Sequence, residues 1–158
     1  MTTDMKNKIT WSVLHFNDLS VKQLFDVLQL RNKIFIVEQD CPYLDVDEKD
    51  QISFHVLGVD QQQKLIATSR VLPPGLSYSE VSIGRVAVAI NSRGKGIGDE
   101  LNRISMKFIR DYYGEVPIRL SAQKHLSKYY NKHGFKVVSD PYDEDGIPHV
   151  EMLYRVCP

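Results

Sequence analysis

The sequence of 158 residues has only two cysteines, Cys41 and Cys157, and neither has another cysteine or a histidine at metal-ligand spacing. Disulfide frameworks and zinc sites are therefore not expected, and both residues are interpreted as free thiols. A long hydrophobic run is also lacking, since the longest apolar stretch, Val86 to Ile90, is far below the roughly 20 residues that span a bilayer. Residues 1–8 are polar, so no secretory signal is predicted. We therefore expect a soluble, cytoplasmic protein.

An excess of one charge is lacking as well, because 20 Lys and Arg residues balance 20 Asp and Glu residues. This balance argues against a protein that coats nucleic acid or anionic lipid. With 42% hydrophobic residues, the chain has the length and composition of one domain with one hydrophobic core. We therefore predict a single domain over residues 1–158, with residues 1–8 as a flexible tail.

Hydrophobic periodicity and turn residues predict strands that alternate with helices in a mixed α/β fold. Ser20 and Gln23 form a capping-box pattern at the start of a first helix, which is expected to end near Asn32. Apolar residues spaced by three and four predict a long helix over residues 96–113. The faces expected to be buried are Val21, Leu24, Phe25 and Leu28 in the first helix and Ile97, Leu101, Ile104, Phe108 and Tyr112 in the long one. The other predicted elements are helical segments at 35–39 and 126–133 and strands at 10–16, 53–59, 65–72, 81–88, 116–122, 135–139 and 149–156.

A glycine-rich turn at residues 93–98, Arg-Gly-Lys-Gly-Ile-Gly, joins the strand at 81–88 to the long helix. Backbone N–H groups at a helix start lack partners within the helix and lie at its positive end, so they readily bind phosphate oxygens. The spacing is not that of a P-loop, because Gly96 follows Lys95. It is not that of a dinucleotide fingerprint either, because Asp99 occupies the third glycine position. The turn by itself is compatible with a pyrophosphate site or with an ordinary tight turn.

Two adjacent tyrosines, Tyr129 and Tyr130, lie late in the short helix at 126–133, before Gly134. Neighbouring residues point about 100° apart around a helix, so one ring can pack in the core while the other points elsewhere. A phenol that projects into a cleft could deliver a proton to a departing thiolate. For the pair by itself, ordinary packing is the simpler interpretation.

These motifs, taken together, resemble those of the GNAT superfamily of acetyl-CoA-dependent N-acyltransferases. Arg93-x-x-Gly96-x-Gly98 is similar to the pyrophosphate loop of that family. Ile83 to Val88 resembles the strand before that loop, and Tyr129 to Phe135 resembles the late helix of the family. Over nearly the whole chain the sequence is similar to the ElaA-type bacterial branch. The segments that carry this second resemblance are Leu30-Arg31, Ile34 to Gln39, Cys41-Pro42-Tyr43, Asp45 and Glu144 to His149.

The resemblance implies a three-layer fold with a central twisted mixed sheet of about six to seven strands and about four helices. Two parallel strands, 81–88 and 116–122, would splay apart after a bulge near Gly84 and form a cleft for an acyl-CoA. Acetyl-CoA is the implied co-substrate, and no metal is implied. A backbone N–H near Val86 would face the thioester oxygen, and Tyr130 would be the general acid for the leaving thiolate. The residues expected to bind the cofactor are Val86, Ala87, Val88, Arg93, Gly94, Lys95, Gly96, Ile97, Gly98 and Tyr130.

The acceptor side of the site is less determined. Several family members place a glutamate on the strand before the loop, whereas this sequence has Ser82 there, so direct carboxylate catalysis is not implied. Six acidic residues between positions 38 and 50 are interpreted either as a surface that attracts a cationic amine or as a solvated loop. The candidates for the acceptor side are Arg31, Glu38, Ser82, Glu144 and His149. The candidates for the general base are Glu38, Glu80, His149 and a chain of water molecules.

The sequence therefore predicts an N-acetyltransferase that acts on a primary amine of a small molecule or peptide by direct attack in a ternary complex. One alternative is a non-catalytic domain that binds an acyl-CoA and regulates another process. A second alternative is an acyl-homoserine-lactone-synthase-like acyltransferase. The tryptophan-rich N-terminal pocket expected of such a synthase is missing, since Trp11 is the only tryptophan. Nucleic acid and membrane are not expected partners, whereas exposed strand edges in such folds often pair into homodimers.

Overall fold

The computed structural model describes residues 8–156, which form eight strands and three α-helices. The strands are β1 (Thr10–His15), β2 (Phe54–Val59), β3 (Leu65–Leu72), β4 (Val81–Val88), β5 (Ile118–Gln123), β6 (Phe135–Val137), β7 (Tyr142–Glu144) and β8 (Ile147–Tyr154). The helices are α1 (Val21–Arg31), which continues into a π-helical segment (Asn32–Glu38), α2 (Ile97–Tyr113) and α3 (Ser127–Asn131). Short 3₁₀ turns lie at Phe16–Asp18, Glu48–Ile52, Ile90–Ser92 and Lys124–Leu126. Residues 1–7 of the predicted tail and Cys157 lie outside the described range.

The strands form one sheet in the order β1-β2-β3-β4-β5-β8-β6, with β7 paired to β8. Neighbouring strands are antiparallel except β4 and β5, which run parallel. The predicted mixed α/β fold with a central mixed sheet is therefore confirmed, although the described residues contain eight strands and three α-helices rather than six to seven and four. The sequence does not predict β7 because this strand has only three residues and turns at once into β8.

The helices α1 and α2 cover opposite faces of the sheet, which gives the three layers. Val56 and Leu57 are successive residues of β2 but belong to different core clusters, and successive strand residues point to opposite faces. The α2 cluster includes Val56, Val71, Ile83, Ile97, Leu101, Ile109 and Leu120. The α1 cluster comprises Val27, Leu30, Ile34, Leu57, Leu65 and Ala87. Full burial of one such Leu or Ile side chain contributes about 1.5–3 kcal/mol, so these contacts hold the helices on the sheet.

The start of α1 agrees with the prediction, but its buried face does not. Ser20 Oγ accepts a hydrogen bond from the Gln23 N–H at 3.1 Å, and the Gln23 side chain accepts one from the Ser20 N–H at 2.9 Å. The predicted apolar face is wrong at Val21 and Phe25, which are 88% and 61% exposed, whereas Leu24 and Leu28 are partly buried. The fully buried apolar residues are Val27 and Leu30 in the second half of the helix and Ile34 in the π-helical segment that follows.

The predicted face of α2 is correct except at its last residue, since Ile104 and Phe108 also pack against the α2 cluster. Ile97 and Leu101 are buried, whereas Tyr112 is 60% exposed and Ile109 is buried instead. The buried face also includes Ser105, whose hydroxyl bonds to the Leu101 carbonyl oxygen at 2.8 Å. A satisfied serine thus occupies a position that a purely hydrophobic pattern does not predict.

The predicted helix at 126–133 is shorter in the structure, where a 3₁₀ turn (Lys124–Leu126) leads into α3. This short helix packs between the start of α2 and the strands β6 and β8. It therefore brings the two tyrosines close to the glycine-rich turn.

Candidate active site

The strands β4 and β5 separate soon after they begin, as the resemblance implies. Their parallel pairing is limited to Val81 with Ile118 and Ser82 with Arg119. Within residues 8–156, the rest of β4 pairs with β3 but has no strand partner on its other edge. A cleft therefore opens between the second halves of β4 and β5, and it exposes unpaired backbone groups of β4.

A β-bulge in β4 lies where the cleft opens. The register between β3 and β4 shifts between Thr68 and Arg70, so that one residue of β3 faces both Arg85 and Val86. The bulge is thus present, but the residue in the left-handed conformation is Arg85 (φ 49°) and not Gly84. That conformation costs a non-glycine residue about 1–2 kcal/mol. The surrounding structure must therefore hold Arg85 in place.

The bulge changes which face of the sheet the following residues occupy. Before it, Val81 and Ile83 lie in the α2 cluster. After it, Val86 and Val88 pack against that cluster, and Ala87 lies in the α1 cluster. One inserted residue inverts the alternation of side chains along a strand. The second half of β4 therefore presents a different set of groups to the cleft than an unbroken strand would.

The glycine-rich turn leads from β4 into α2, and its backbone requires glycine. Gly94 and Gly96 both have a φ of 77°, and a Cβ built on either would meet no heavy atom within 4 Å. Gly96 is the N-cap of α2, and as a glycine it has no side chain that could cap the N–H groups of the first turn. The open space and these N–H groups fit a pyrophosphate, at the positive end of a helix of 17 residues.

Arg93, the first residue of the turn, is part of an ion pair with Glu38. Its guanidinium donates two hydrogen bonds to the Glu38 carboxylate, one of them 2.8 Å long, and its Nε donates to the Val88 carbonyl oxygen at 3.1 Å. The hydrogen bonds from Arg93 hold the pKa of Glu38 below its usual value. Glu38 is therefore an ionised partner of Arg93 rather than a free base, and the pair links the π-helical segment to the turn.

A cavity of about 460 Å³ adjoins the same turn, next to the connection between β2 and β3. Its lining includes three lysines, Lys33, Lys64 and Lys95, together with aliphatic side chains such as Ile34 and Ile66. The one carboxylate in the lining, Asp60, accepts hydrogen bonds from the backbone N–H groups of Gln62 and Lys64, each at 2.9 Å. Positive charge is thus concentrated beside the glycine-rich turn.

Tyr129 and Tyr130 have different environments. The Tyr129 hydroxyl donates a hydrogen bond to the Gly98 carbonyl oxygen, and burial raises its pKa to about 12. Tyr130 is only 6% exposed and packs in the α2 cluster, with its ring centre 6.0 Å from that of Phe135. Burial raises the pKa of Tyr130 well above its ordinary value, so this phenol is protonated at neutral pH. The Tyr129 hydroxyl is committed to Gly98, whereas the Tyr130 ring packs in the core and its hydroxyl has no such committed acceptor among the described residues.

Arg31 lies in a buried ionic network and not on an acceptor surface. It is 1% exposed, and its guanidinium donates to Asp45 at 2.9 Å and to the two Asp50 oxygens at 2.8 and 3.1 Å. Burial raises the pKa of Asp50, but the hydrogen bonds and charges of Arg31 and Arg70 outweigh it and lower the pKa to about 2. Arg31 is therefore not accessible to a substrate. Its predicted place on the acceptor side is wrong.

The acidic segment at 38–50 is largely neutralised by arginines. Asp45 lies 2.8 Å from Arg85, and Asp47 lies 2.6 Å from Arg70. Together with Glu38 and Asp50, four of the six acidic residues are therefore in ion pairs. The pairing favours a structural role for this segment over a surface that attracts a cationic amine.

The strand before the turn offers no free base at the two positions considered from the sequence. Ser82 is buried in β4, opposite Arg119 of β5, and carries no carboxylate. Glu80 is bound by the Arg119 guanidinium at 2.9 Å, and hydrogen bonds from Arg119 lower the pKa of Glu80 to about 2. Ser82 is thus inaccessible from the surface, and Glu80 remains an ionised partner of Arg119.

Glu144 and His149 come together with two residues that sequence reasoning missed, Ser121 and Tyr142. Glu144 Oε2 lies 3.2 Å from His149 Nε2 and accepts a hydrogen bond from Ser121 Oγ at 3.3 Å. The Ser121 and Tyr142 hydroxyls bond to each other, and His149 Nδ1 lies 2.8 Å from the Ile147 carbonyl oxygen. The Ile147 carbonyl oxygen can only accept, so His149 Nδ1 is the donor in that contact, and Nε2 is the ring nitrogen that lies near the Glu144 carboxylate. The four side chains form a connected chain of acid–base groups, in which hydrogen bonds join Ser121 to Tyr142 and Glu144, and His149 lies at ion-pair distance from Glu144.

This chain lies on the face of the sheet opposite α2. Leu120 and Ala122 of β5 are buried in the α2 cluster, so Ser121, between them, points to the other face. The alternation within β5 is a sequence signal that could have indicated Ser121. Tyr142 gives no such signal, because β7 is too short to show a period.

Cys41 is a buried free thiol whose Sγ donates to the Asp145 carbonyl oxygen at 3.5 Å. Across residues 8–156, no three His, Cys, Asp or Glu side chains are grouped as metal ligands. The helices of this range are all too short or too polar to cross a membrane.

Comparisons with known proteins agree with this geometry. A family model described as an acetyltransferase (GNAT) domain matches residues 45–156. The chain is 39% identical over 150 residues to protein ElaA of Escherichia coli, which covers 94% of this chain and 97% of that protein. Its structure is similar to that of an acyl-CoA N-acyltransferase from Pseudomonas aeruginosa, with a TM-score of 0.89, 37% identity and coverage of 93% and 99% of the two chains. The AHL synthase LasI has a TM-score of 0.73 at 12% identity over 96% of this chain and 91% of that one, a likeness that shows the fold alone.

Proposed function

The chain belongs to the GNAT acetyltransferase family, and we propose that it transfers the acetyl group of acetyl-CoA to a primary amine by direct attack in a ternary complex. The observation that carries this proposal is the cleft between β4 and β5, which opens at the bulge and leads along β4 to the glycine-rich turn. An unpaired strand edge joined to a backbone phosphate site suits a molecule that has an extended arm and a pyrophosphate.

The residues that would hold the cofactor are those of β4 and the turn. Backbone groups of Val86, Ala87 and Val88 would pair with the pantetheine arm, because within the described residues this edge of β4 has no strand partner. The N–H groups of residues 94–98 would bind the pyrophosphate, and the exposed Lys95 would add positive charge beside it. Coenzyme A binding therefore depends mainly on backbone geometry.

When bound, acetyl-CoA supplies an activated acetyl thioester. The Val86 N–H would donate a hydrogen bond to the thioester oxygen as negative charge builds there, and one such donor is worth about 3 kcal/mol of barrier. The Tyr130 hydroxyl would donate its proton to the departing sulfur, and its raised pKa keeps that proton in place at neutral pH. Because a free thiol has a pKa of about 8.5, the thiolate leaves fairly well unaided and the contribution of Tyr130 is modest.

The acceptor amine must lose a proton before it attacks, since an aliphatic amine is mostly protonated at pH 7. Glu38 and Glu80 are held by arginines. We therefore assign the acceptor side to the face opposite α2, where Glu144 and His149 are the remaining acid–base candidates. The acceptor would be a small molecule or a peptide that presents a primary amine on this face.

Release of coenzyme A from acetyl-CoA tests the proposal directly. The panel of acceptors comprises polyamines, amino sugars, amino acids and peptides with a lysine or a free N-terminus. We expect at least one amine to accelerate release and mass spectrometry to find no acetyl group on Cys41, as direct attack requires. If acetyl-CoA binds in calorimetry but no amine accelerates release, the non-catalytic acyl-CoA-binding alternative replaces the proposal.

Tyr130→Phe tests the general acid. We expect kcat to fall about tenfold to a hundredfold, with the dissociation constant of coenzyme A unchanged. Tyr112→Phe is the matched control, because Tyr112 is exposed and its variant should retain full activity. Full kcat of Tyr130→Phe between about pH 6 and 9 would rule out the acid role.

Cellular location and assembly follow as proposals. We propose that the protein acts in the cytoplasm, where acetyl-CoA is available, and that it forms a homodimer through a strand edge. Within the described residues, β1 forms one edge of the sheet, and β6 and β7, which both pair only with β8, form the other. Light scattering during gel filtration distinguishes a dimer from a monomer.

A further inference from the structure

We propose that Arg85 positions the reaction centre: Asp45 and Asp47 fix its guanidinium, which keeps residue 85 in the left-handed conformation and so holds the Val86 N–H in the cleft. The inference rests on the proposed function, because it concerns the backbone donor for the thioester oxygen. Arg85 is a positioning residue, since it acts through the backbone of its neighbour and not by contact with the substrate.

The Arg85 side chain is held by contacts on several of its atoms. Nε lies 2.8 Å from Asp45 Oδ1, and Nη2 donates to the Asp45 carbonyl oxygen at 3.0 Å. Nη2 also lies 3.6 Å from Asp47 Oδ2. The guanidinium carbon is 5.6 Å from the centre of the Tyr43 ring, which is a cation–π distance. These contacts fix the position of the side chain and, through it, of the backbone at residue 85.

Asp45, the main partner of Arg85, is itself fixed. It is buried, and its Oδ2 accepts a hydrogen bond from Arg31 Nε at 2.9 Å. Its Oδ1 accepts one from the Tyr43 hydroxyl at 2.8 Å. Because Arg31 is the last residue of α1, the clamp on Arg85 is anchored in a packed helix and not in a mobile surface loop. This gives Arg31, Tyr43 and Asp45 a common role that the sequence alone does not reveal.

The choice of residue at the bulge is informative. Gly84 lies directly before Arg85 and would accept a positive φ without strain, yet the left-handed residue is the arginine. Glycine at position 85 would leave the backbone free to sample other conformations, whereas an arginine held by two carboxylates removes that freedom. A strained residue that its surroundings over-determine is typical of a preorganised functional site.

The position of the bulge decides what the cleft presents. The inserted residue places Val86 and Val88 on the α2 face and Ala87 on the other. A donor that is already in place needs no reorganisation when charge develops on the substrate. Loss of the clamp should therefore lower kcat more than it weakens coenzyme A binding, because the pyrophosphate turn at 93–98 lies further along the chain and still holds the cofactor.

Two variants separate the strain from the clamp. Arg85→Ala removes the clamp but keeps a residue that resists positive φ, so we expect kcat to fall about tenfold to a hundredfold. Arg85→Gly removes the clamp and the strain together, so the bulge persists and kcat should fall less, about threefold to tenfold. The dissociation constant of coenzyme A, measured by calorimetry, should rise by a smaller factor than kcat falls in Arg85→Ala. If Arg85→Ala does not fold, Arg85→Lys replaces it, because lysine keeps the charge but lacks the forked guanidinium. Its kcat should also fall below the wild-type value.

Nuclear magnetic resonance gives a readout that needs no acceptor. The probe is S-(2-oxopropyl)-CoA, an unreactive thioether with a carbonyl near the position of the thioester carbonyl. We expect the Val86 amide proton to shift downfield in the wild type, to lose this shift in Arg85→Ala and to retain most of it in Arg85→Gly. Equal shifts and equal kcat values in wild type and Arg85→Ala would overturn the inference. A wild-type protein that binds no coenzyme A would instead overturn the proposed function.

Discussion

Replacing Gly96 by alanine tests the backbone phosphate site without changing any charge. Gly96 has a φ of 77°, and a left-handed alanine costs about 1–2 kcal/mol of folding free energy. The added Cβ would meet no heavy atom of the protein within 4 Å, so no clash adds to this cost. Each kcal/mol corresponds to a fall in Tm of about 2–4 °C for a chain of this size. The variant should therefore fold with a slightly lower Tm.

Gly96→Ala should weaken coenzyme A binding by more free energy than it removes from folding stability. The new methyl group would occupy the space through which a pyrophosphate approaches the N–H groups at the start of α2. Loss of one hydrogen bond to a charged group costs about 1.5–3 kcal/mol. The dissociation constant of coenzyme A should therefore rise about tenfold to a hundredfold. Isothermal titration calorimetry measures this change.

Gly75→Ala is the matched control for this experiment. Gly75 has a φ of 85°, and a Cβ there also meets nothing within 4 Å, but it lies in the connection between β3 and β4. Its variant should lose similar stability and keep wild-type affinity. If Gly96→Ala also binds coenzyme A with wild-type affinity, the assignment of the turn to the pyrophosphate is wrong. If both variants lose affinity equally, the effect comes from stability and the reasoning fails as well.

Three further predictions concern stability and are checked by urea denaturation. Arg31→Leu should lower the free energy of unfolding by about 3–5 kcal/mol, because Asp45 and Asp50 remain buried without this partner; a loss below about 1 kcal/mol contradicts the prediction. The folded pKa of Asp50 is lowered to about 2 from 3.8. Its contribution to the free energy of unfolding, on the order of 2 kcal/mol, is complete above about pH 4 and is lost as the pH falls through about 2. A free energy of unfolding that does not change over this pH range contradicts the prediction. Ser20→Ala should cost about 0.5–2 kcal/mol by removing the cap of α1, and an unchanged midpoint would show that the cap contributes nothing.

The strands could be predicted well where the chain marks their ends sharply. The bounds of β3 (Leu65–Leu72) and β4 (Val81–Val88) agree with the prediction to the residue. The Pro73-Pro74-Gly75 sequence interrupts the apolar pattern between them, because proline lacks the N–H that a strand needs. Signals of this kind depend only on neighbouring residues, so they can be recognised from the sequence without the structure.

The buried faces of the helices could be predicted only in part. Phe25 is as hydrophobic as Leu30, but the first is exposed and the second is buried. Which of them meets the sheet depends on where along α1 the contact with the sheet begins. That is a property of the assembled fold and not of the pattern within the helix.

The sequence by itself determined the features that a few consecutive residues specify: the capping box at Ser20, the glycine-rich turn at 93–98 and the strand that enters it. Only the tertiary structure decided what the charged residues do. Arg31 meets carboxylates 14 and 19 residues away, and Arg93 meets Glu38 across 55 residues. Local patterns cannot predict such pairs, because burial and the partner together set whether a charge is free, and both arise only when distant segments pack against one another.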